Sequence, residues 1–522
     1  MRKAALILAL AVLALFTQCK KQENTGDNEQ GNGIKMELTA DNGGSKTSFG
    51  ANGSIAWNTN EKIYVVTNGQ CVGYVTNGSE GGNTFTGTLN ISSGTYDFHY
   101  YYVGNTQTIA IGATDFTMDF SDQDGTLANL GDFHVGYGLQ TDVEVTEGET
   151  IMAQASMKSL VAMAYFNIAG MAETGEKVFF YGSNINNKMA IDFTTNAPTF
   201  GKVDNEKDNY ICAGTVAEGA TSPCYVVLLP NHTDGTEEMT TNITFVSKRT
   251  TGTCNDVFNY GIIGGRFYCS NGVVDTPIEV SATSYQKGTL RGEFAVNSEG
   301  AVVHFSQANL TYTISTATWS FLNEQYDIVE TNGQDVGNNY ENQDVVSLFE
   351  WGTGNNPTTT SQNYGFIDWG TNAISNGGNV PNLWRTPTKD EYNYMFATHE
   401  SDVTYAFGEI EGNNGYGMIM LPDNWRCPAE ISLRSTWTGT HVPPVYSVNE
   451  WEKMEAAGAV FWPTAGYRYK TTVTEVGYRG QYRLSSTDEY GNSREMGFVP
   501  YYYFMTGSYE GGYSVRLVHN AE

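Results

Sequence analysis

Ten of the 33 tyrosines in this 522-residue chain fall between positions 465 and 518, about three times an even share. Most sit among Gly, Ser and Asn, as in "STDEYGNSREMGFVPYYYFMTGSYEGG", residues 486–512. A tyrosine ring offers a broad apolar contact, a hydroxyl at its tip and only two torsions to freeze, which suits recognition more than bond-making. The candidate contact residues are Tyr478, Arg479, Arg483, Tyr490, Asn492, Tyr501, Tyr503 and Tyr509. Tyr490, Tyr501, Tyr503 and Tyr509 are expected to form part of an exposed face. Met496 and Phe498 are expected to face a core, and alternation in "PYYYFM" would bury one or two of its rings. The final "YSVRLV" reads as a half-buried scaffold strand.

Residue types that would support catalysis are thinly placed. Asp488 and Glu489 are adjacent and would diverge on a strand or share a solvated turn, a poor arrangement for glycosidase chemistry. Asp390 and Glu391 sit at a helix start, where carboxylates complement the dipole. The seven histidines are scattered and neither CxxC nor HExxH occurs, so no metal or other cofactor is expected.

Stepping along the chain, 522 residues imply about three domains at ~100–200 residues each. The formal net charge of −29 disfavours nucleic acid and anionic lipid as partners. Aromatics at 13%, 58 glycines and many short alternating runs indicate a mainly β extracellular protein. The opening "MRKAALILALAVLALFTQ" reads as a secretory signal over 1–18, too short to anchor by spanning. Cys19 follows, and with Leu15 at minus four it resembles the lipidated cysteine of bacterial lipoproteins, although Thr17 and Gln18 depart from the usual small residues. Residues 19–33 read as a flexible tether. Six cysteines remain, of which Cys212 with Cys224 and Cys254 with Cys269 could pair across hairpins; the alternative is that they are buried and unpaired.

Short strands divided by Asn-Gly and Gly-Gly turns fill 34–150, and a second strand-rich block fills 151–272; both read as sandwiches. The third block, 280–522, adds two helix starts with capping boxes, Thr388 with Glu391 and Ser447 with Glu450, the second helix closing at Gly458. Its first and last strands are expected to lie together.

"SKTSFGANGSIAWNTNEKIYVV", residues 45–66, resembles the opening of Bacteroidota fimbrillins, with Trp57, Glu61, Lys62 and Ile63 in place; Trp57 itself reads as core. The resemblance covers 34–272 and implies two tandem transthyretin-like β-sandwiches and assembly with other fimbrial subunits by strand exchange. In the third block "FSQANL", "LFEWGT", "NLWRTPTKDEYNYMF", "MIMLPDNW", "EWEKMEAAGAVFWPTAGYRY" and "VGYRGQYRLSST" resemble, in order, the Fibrobacter-type major paralogous domain. That implies an α+β C-type lectin-like domain, similar to targets of diversity-generating retroelements, whose variable positions lie in the last segment. Relatives usually carry Trp where this chain has Arg483. The fold also hosts formylglycine-generating enzymes, whose paired copper-binding cysteines the third block lacks, having Cys427 alone. The combined expectation is a non-enzymatic adhesin, lipid-anchored at the outer membrane or in a fimbrium at the tip or as an accessory subunit, binding a protein or glycan ligand. A structural cap without its own ligand is the alternative.

Overall fold

The computed structural model describes residues 33–41, 48–49, 55–232, 238–254, 258–273, 275–283, 286–360, 365–397, 405–412, 415–433, 443–499, 502–507 and 511–521. The expected signal, Cys19 and nearly all of the tether lie outside them, as do Tyr501 and Tyr509. The described chain is mainly β, with two short α-helices in the third block and one four-residue turn of helix in the first.

In the strand Ile34–Asp41, "IKMELTAD", Ile34, Met36, Leu38 and Ala40 are buried while Lys35 is exposed and Glu37 and Thr39 only partly covered, the period-2 pattern of a sheet with one face on a core. This strand pairs antiparallel with Thr84–Leu89 and parallel with Ile151–Ser156, Met36 lying opposite Ile151. The sheet continues through Gln70–Asn77, Lys62–Thr67, Gly94–Tyr102, Gly136–Val145 and Lys158–Ser159. It curls so that Ile151–Ser156 meets Gly136–Val145, where the Gln154 amide donates to Gln140 Oε1 at 3.1 Å. Trp57 is fully buried inside, edge-on to Phe85 at 5.1 Å and Tyr102 at 5.4 Å, the core position its strand pattern implied.

The first sheet therefore runs past residue 150. The strand Ile151–Ser156, inside the bounds expected for the second block, delivers Ile151, Ala153 and Ala155 to the first core. In the other direction, Asp115–Asp119 leaves the first sheet to pair with Lys188–Asp192, Phe116 opposite Ile191. Tyr64, Val66 and Tyr101 of the first block thus share one core with Met189, Ile191 and Val227 of the second.

The second block packs Ala162–Asn167 and Pro223–Leu228 against Lys177–Tyr181, Ile211–Thr215 and Thr244–Val246 around Phe166, Phe180 and Phe245. The six cysteines among the described residues are free. Of the two readings left open for Cys212 with Cys224 and Cys254 with Cys269, the structure has the unpaired one, with Cys212, Cys224 and Cys254 buried and Cys269 partly so; Cys212 lies opposite Phe179 in one sheet and Cys224 opposite Phe166 in another. Burial pushes the Cys212 thiol up to about 11.

In the third block the strand that opens its first hairpin, Val302–Phe305, pairs antiparallel with the last described strand, Val518–Asn520, with His304 opposite His519 and the short Phe294–Ala295 on its other side. Both capping boxes form. The Thr388 amide donates to Glu391 Oε2 at 2.7 Å, and the Glu391 amide to Thr388 Oγ1 at 3.2 Å, at the start of the helix Lys389–Ala397; Ser447 and Glu450 do the same for Val448–Ala456. Gly458 follows the second helix at φ +97°, its amide donating to the Glu455 carbonyl at 2.9 Å. The stretch 511–518 is buried throughout rather than alternating. It threads between neighbours, with Tyr513 bridging Phe349, Ser514 bridging Tyr482 and Val518 bridging Arg385, and only Val518–Asn520 is regular strand. Arg516 is buried there over Trp462 at 5.9 Å, donating to Gln325 Oε1 at 2.7 Å.

Glu61 is 4% exposed, and burial raises its carboxyl to about 8, only partly offset by hydrogen bonds from Asn58. A carboxyl whose folded-state pKa exceeds its unfolded value binds its proton more tightly in the native state, so stability falls as pH rises from about 4.5 through about 8. Urea denaturation at pH 5 and pH 9 should show a loss on the order of 3–5 kcal/mol from this group. In Glu61→Gln that part of the pH dependence should vanish; an unchanged profile would show that Glu61 does not carry it.

Candidate functional site

The tyrosine-rich end is organised by one antiparallel sheet, Gly480–Thr487 with Ser493–Val499 and Tyr502–Gly507. One face carries Tyr482, Leu484, Met496 and Phe498 into the core with Trp462 and Phe305. The expected inward placement of Met496 and Phe498 is what the structure has. The eight-residue strand Gly480–Thr487 is about 26 Å long, and the candidate residues fall at its two ends and in its middle.

At one end lies the turn 488–492. Asp488 accepts from the Tyr490 amide at 3.0 Å, the Asn492 amide at 2.7 Å and Asn492 Nδ2 at 2.8 Å. These hydrogen bonds, led by the Asn492 side chain, hold the Asp488 carboxyl below its usual range. Gly491 supplies the left-handed φ of +83° that closes the turn. Tyr490 projects from it at 80% exposure, an aromatic ring in water on a backbone that is already fixed.

At the other end, Asn332 clamps the turn before the strand by accepting from the Val476 amide and donating to the Val476 carbonyl, both at 2.8 Å. Tyr478, 46% exposed, receives on its carbonyl the Tyr416 hydroxyl at 2.8 Å. Arg479 is ion-paired to Glu475 at 2.7 Å and lies 5.7 Å from the Tyr467 ring centre and 5.8 Å from that of Phe504, within cation–π range of both. Tyr469, 47% exposed, stands on the adjoining hairpin Tyr467–Tyr469 with Thr472–Thr474. Tyr467, Tyr469 and Phe504 were not among the candidates from sequence, although the Tyr-Arg-Tyr alternation around Arg468 was a signal that two rings share one side of a strand.

Arg483 and Tyr503 occupy the middle and depart from the expected exposed face. Arg483 is 1% exposed. It stacks over Tyr513 at 4.1 Å, donates from Nε to the Phe349 carbonyl at 3.1 Å, and lies 3.8 Å from Glu350 and 3.7 Å from Glu495. Arg468, also buried, reaches Glu350 at 3.2 Å and the Tyr340 hydroxyl at 2.9 Å. Burial raises the Glu350 carboxyl against the pull of Arg468 and Arg483, and burial lowers Arg483. Arg483 thus fills an internal position between the sheet and the segment 511–514, where a ligand in solvent does not reach it. Tyr503, opposite Phe498, is partly buried: it stacks on Phe396 at 4.3 Å and meets Tyr405 edge-on at 5.4 Å, fastening the helix Lys389–Ala397 to the sheet. The structure therefore brings Tyr478 together with Arg479, and Tyr490 with Asn492, as two separate patches. Cys427 is half-buried, its thiol raised by burial and 3.4 Å from the Ile431 carbonyl, conditions that suppress thiolate chemistry. Among the described residues no group of three or more His, Cys, Asp or Glu is placed to hold a metal ion.

No protein-family model and no curated protein matches the chain. Similar solved structures include a "putative cell adhesion protein" from Bacteroides uniformis, 13% identical, covering 48% of this chain and 96% of that one at a TM-score of 0.31. The tip fimbrial protein Mfa3 from Porphyromonas gingivalis, with a C-terminal truncation, is 14% identical over 42% of this chain and 78% of its own, at 0.25. A fimbrilin from Porphyromonas gingivalis is 12% identical over 41% and 71%, at 0.26.

Removing Glu350 would leave two buried guanidinium groups without their shared carboxylate. Glu350→Ala should lower stability by about 3–5 kcal/mol in urea denaturation, whereas Tyr490→Ala should stay within about 0.5 kcal/mol. Equal effects would contradict the division into buried cluster and exposed tip.

Proposed function

We propose that the chain is a cell-surface adhesin, a tip or accessory subunit of a fimbrium, whose ligand contacts come from the third block. The observation that carries this reading is Tyr490, 80% exposed on a turn already fixed by Asp488. Holding a large amphipathic ring in water costs solvation without any return inside the monomer, and a fixed backbone reduces the ordering cost when a partner covers it. Tyr478, Arg479 and Asn492 extend the contact on the two patches, and Tyr501 and Tyr509 belong to the same proposal. Lipidation at Cys19 would hold the protein at the outer membrane, and strand exchange with other fimbrial subunits would involve the first two blocks. The terminal strand Val518–Asn520, paired with Val302–Phe305, is occupied within its own block, which favours an end position over a shaft position. The partner class is a protein or glycan, engaged without covalent chemistry.

The packing of Tyr503 on Phe396 and the burial of Arg483 favour a second reading for the middle of the sheet, in which those residues only shape the block. Tyr478→Ala with Tyr490→Ala separates the two. On a combined glycan and host-protein array the double variant should lose the ligands of the parent while its thermal midpoint changes little, since exposed substitutions cost within about 0.5 kcal/mol each. A variant that remains stable and keeps every ligand assigns the block a structural role alone.

A further inference from the structure

A cleft of about 790 Å³ lies where the second and third blocks meet, and none of the candidate tyrosines lines it. Thr250 and Thr251 form the second-block wall, and Thr283, Thr289, Arg291, His304 and His519 the third-block wall. Sites for small ligands favour such junctions between domains, and this volume falls in their usual range of roughly 300–1,000 Å³. The walls are rich in hydroxyl, imidazole and amide groups and poor in aliphatic ones.

The polar groups are held by their own contacts. Thr250 Oγ1 donates to the Thr283 carbonyl at 2.9 Å. His519 Nε2 and Thr289 Oγ1 are 2.9 Å apart, and His519 lies beside His304 with ring centres 5.4 Å apart. His304 Nδ1 lies 3.0 Å from the Gly292 carbonyl and donates to it. Exposed Asn382 and Asn424 stand at the rim. The two arginines differ in their charge balance. Arg249 is neutralised by Glu176 at 2.7 Å and Glu173 at 3.3 Å. Arg291 is half-buried, and its side chain reaches the Ala456 carbonyl and the Tyr210 hydroxyl, neither of them charged. Glu293, also on the cleft, is exposed.

We propose that this cleft is a saccharide subsite selective for an acidic sugar, the ring hydroxyls meeting the threonine, histidine and asparagine groups and the sugar carboxylate meeting Arg291. A planar guanidinium matches a carboxylate through two parallel hydrogen bonds, and alternating donors and acceptors are what a polyhydroxylated ring requires. The net charge of −29 gives no long-range steering toward an anion, so selectivity rests on the local pairing at Arg291. The site goes beyond the tyrosine-mediated adhesion proposed above and is independent of it.

Isothermal titration of the full chain with a glucuronate-terminated disaccharide, its neutral glucose-terminated counterpart and free acetate tests the assignment. The acidic disaccharide should bind, the neutral one at least about tenfold more weakly, a difference of about 1.4 kcal/mol, and acetate should give no heat, which separates a sugar acid from a simple anion. Arg291→Ala should weaken the acidic disaccharide by about tenfold. Asn382→Asp, an exposed change that leaves the packing alone, should weaken it too by placing a carboxylate at the rim. The Tyr478→Ala, Tyr490→Ala double variant should bind it as the parent does. No heat from either disaccharide, equal binding of the neutral one, acetate binding as tightly as the acidic disaccharide, or parental affinity in both Arg291→Ala and Asn382→Asp would each overturn the proposal, and a loss confined to the tyrosine variant would move the saccharide to the tyrosine face.

Discussion

The four buried charges of Glu350, Arg468, Arg483 and Glu495 are the constraint on which the third block depends. Each ion loses several kcal/mol of hydration on burial, and the cluster stands because two positive and two negative groups face one another and the arginines also reach neutral acceptors. Arg468 donates to the Tyr340 hydroxyl and the Lys470 carbonyl, Arg483 to the Phe349 and Gly511 carbonyls. Glu350 comes from a segment more than a hundred residues before the other three. Together the four tie the 348–350 stretch, the 467–469 hairpin, the central strands and the 511–514 stretch into one body. With the outer face of the sheet locked in this way, the turns at its two ends have little choice of position, so the exposed rings at 478 and 490 are presented by a buried electrostatic frame.

What the sequence makes legible follows the range of the interaction. Capping boxes span three residues, and both were readable. Trp57 in its alternating context and the meeting of the first hairpin with the last described strand were readable for similar reasons, the strand pattern naming the inward face. Arg483 was not. Alternation in "GQYRLSST" assigns it to the face opposite Tyr482, which looks like solvent until a second segment covers it, and Phe349 and Tyr513 do so from far along the chain. The one local hint was Glu350 in "LFEWGT", an acid among Leu, Phe and Trp, which reads as a buried carboxylate in need of a cation. Tyr490 and Tyr503 are the same residue type in the same vocabulary; Phe396 stacks on Tyr503, while among the described residues no ring is recorded against Tyr490. The parallel pairing of 34–41 with 151–156 and the placement of Cys212 and Cys224 in different sheets are likewise matters of topology that spacing does not reveal.

The second and third blocks meet through apolar and ionic contacts together. Ala456 and Ala457 at the end of the helix Val448–Ala456 pack on Phe179, Tyr210 and Val246, and beside them Lys177 pairs with Glu452 at 2.7 Å, while Lys453 reaches past the second block to Asp122 of the first at 3.0 Å. Partly exposed pairs contribute little each, so the apolar contact supplies most of the adhesion between blocks and the charges set its register. The saccharide cleft opens beside this junction, and its shape depends on that register being kept.

The strand Ile34–Asp41 lies between two partners, one parallel and one antiparallel, at the end of the described chain nearest the N-terminus. A pull applied at residue 33 runs along the strand, across the direction of the hydrogen bonds on both sides. Those bonds then share the load and must fail together, in shear, whereas a strand peeled from its end gives them up one at a time. The first sheet is therefore built as a mechanical clamp, and its resistance to tension grows with the number of rungs in the ladder rather than with the strength of any single one.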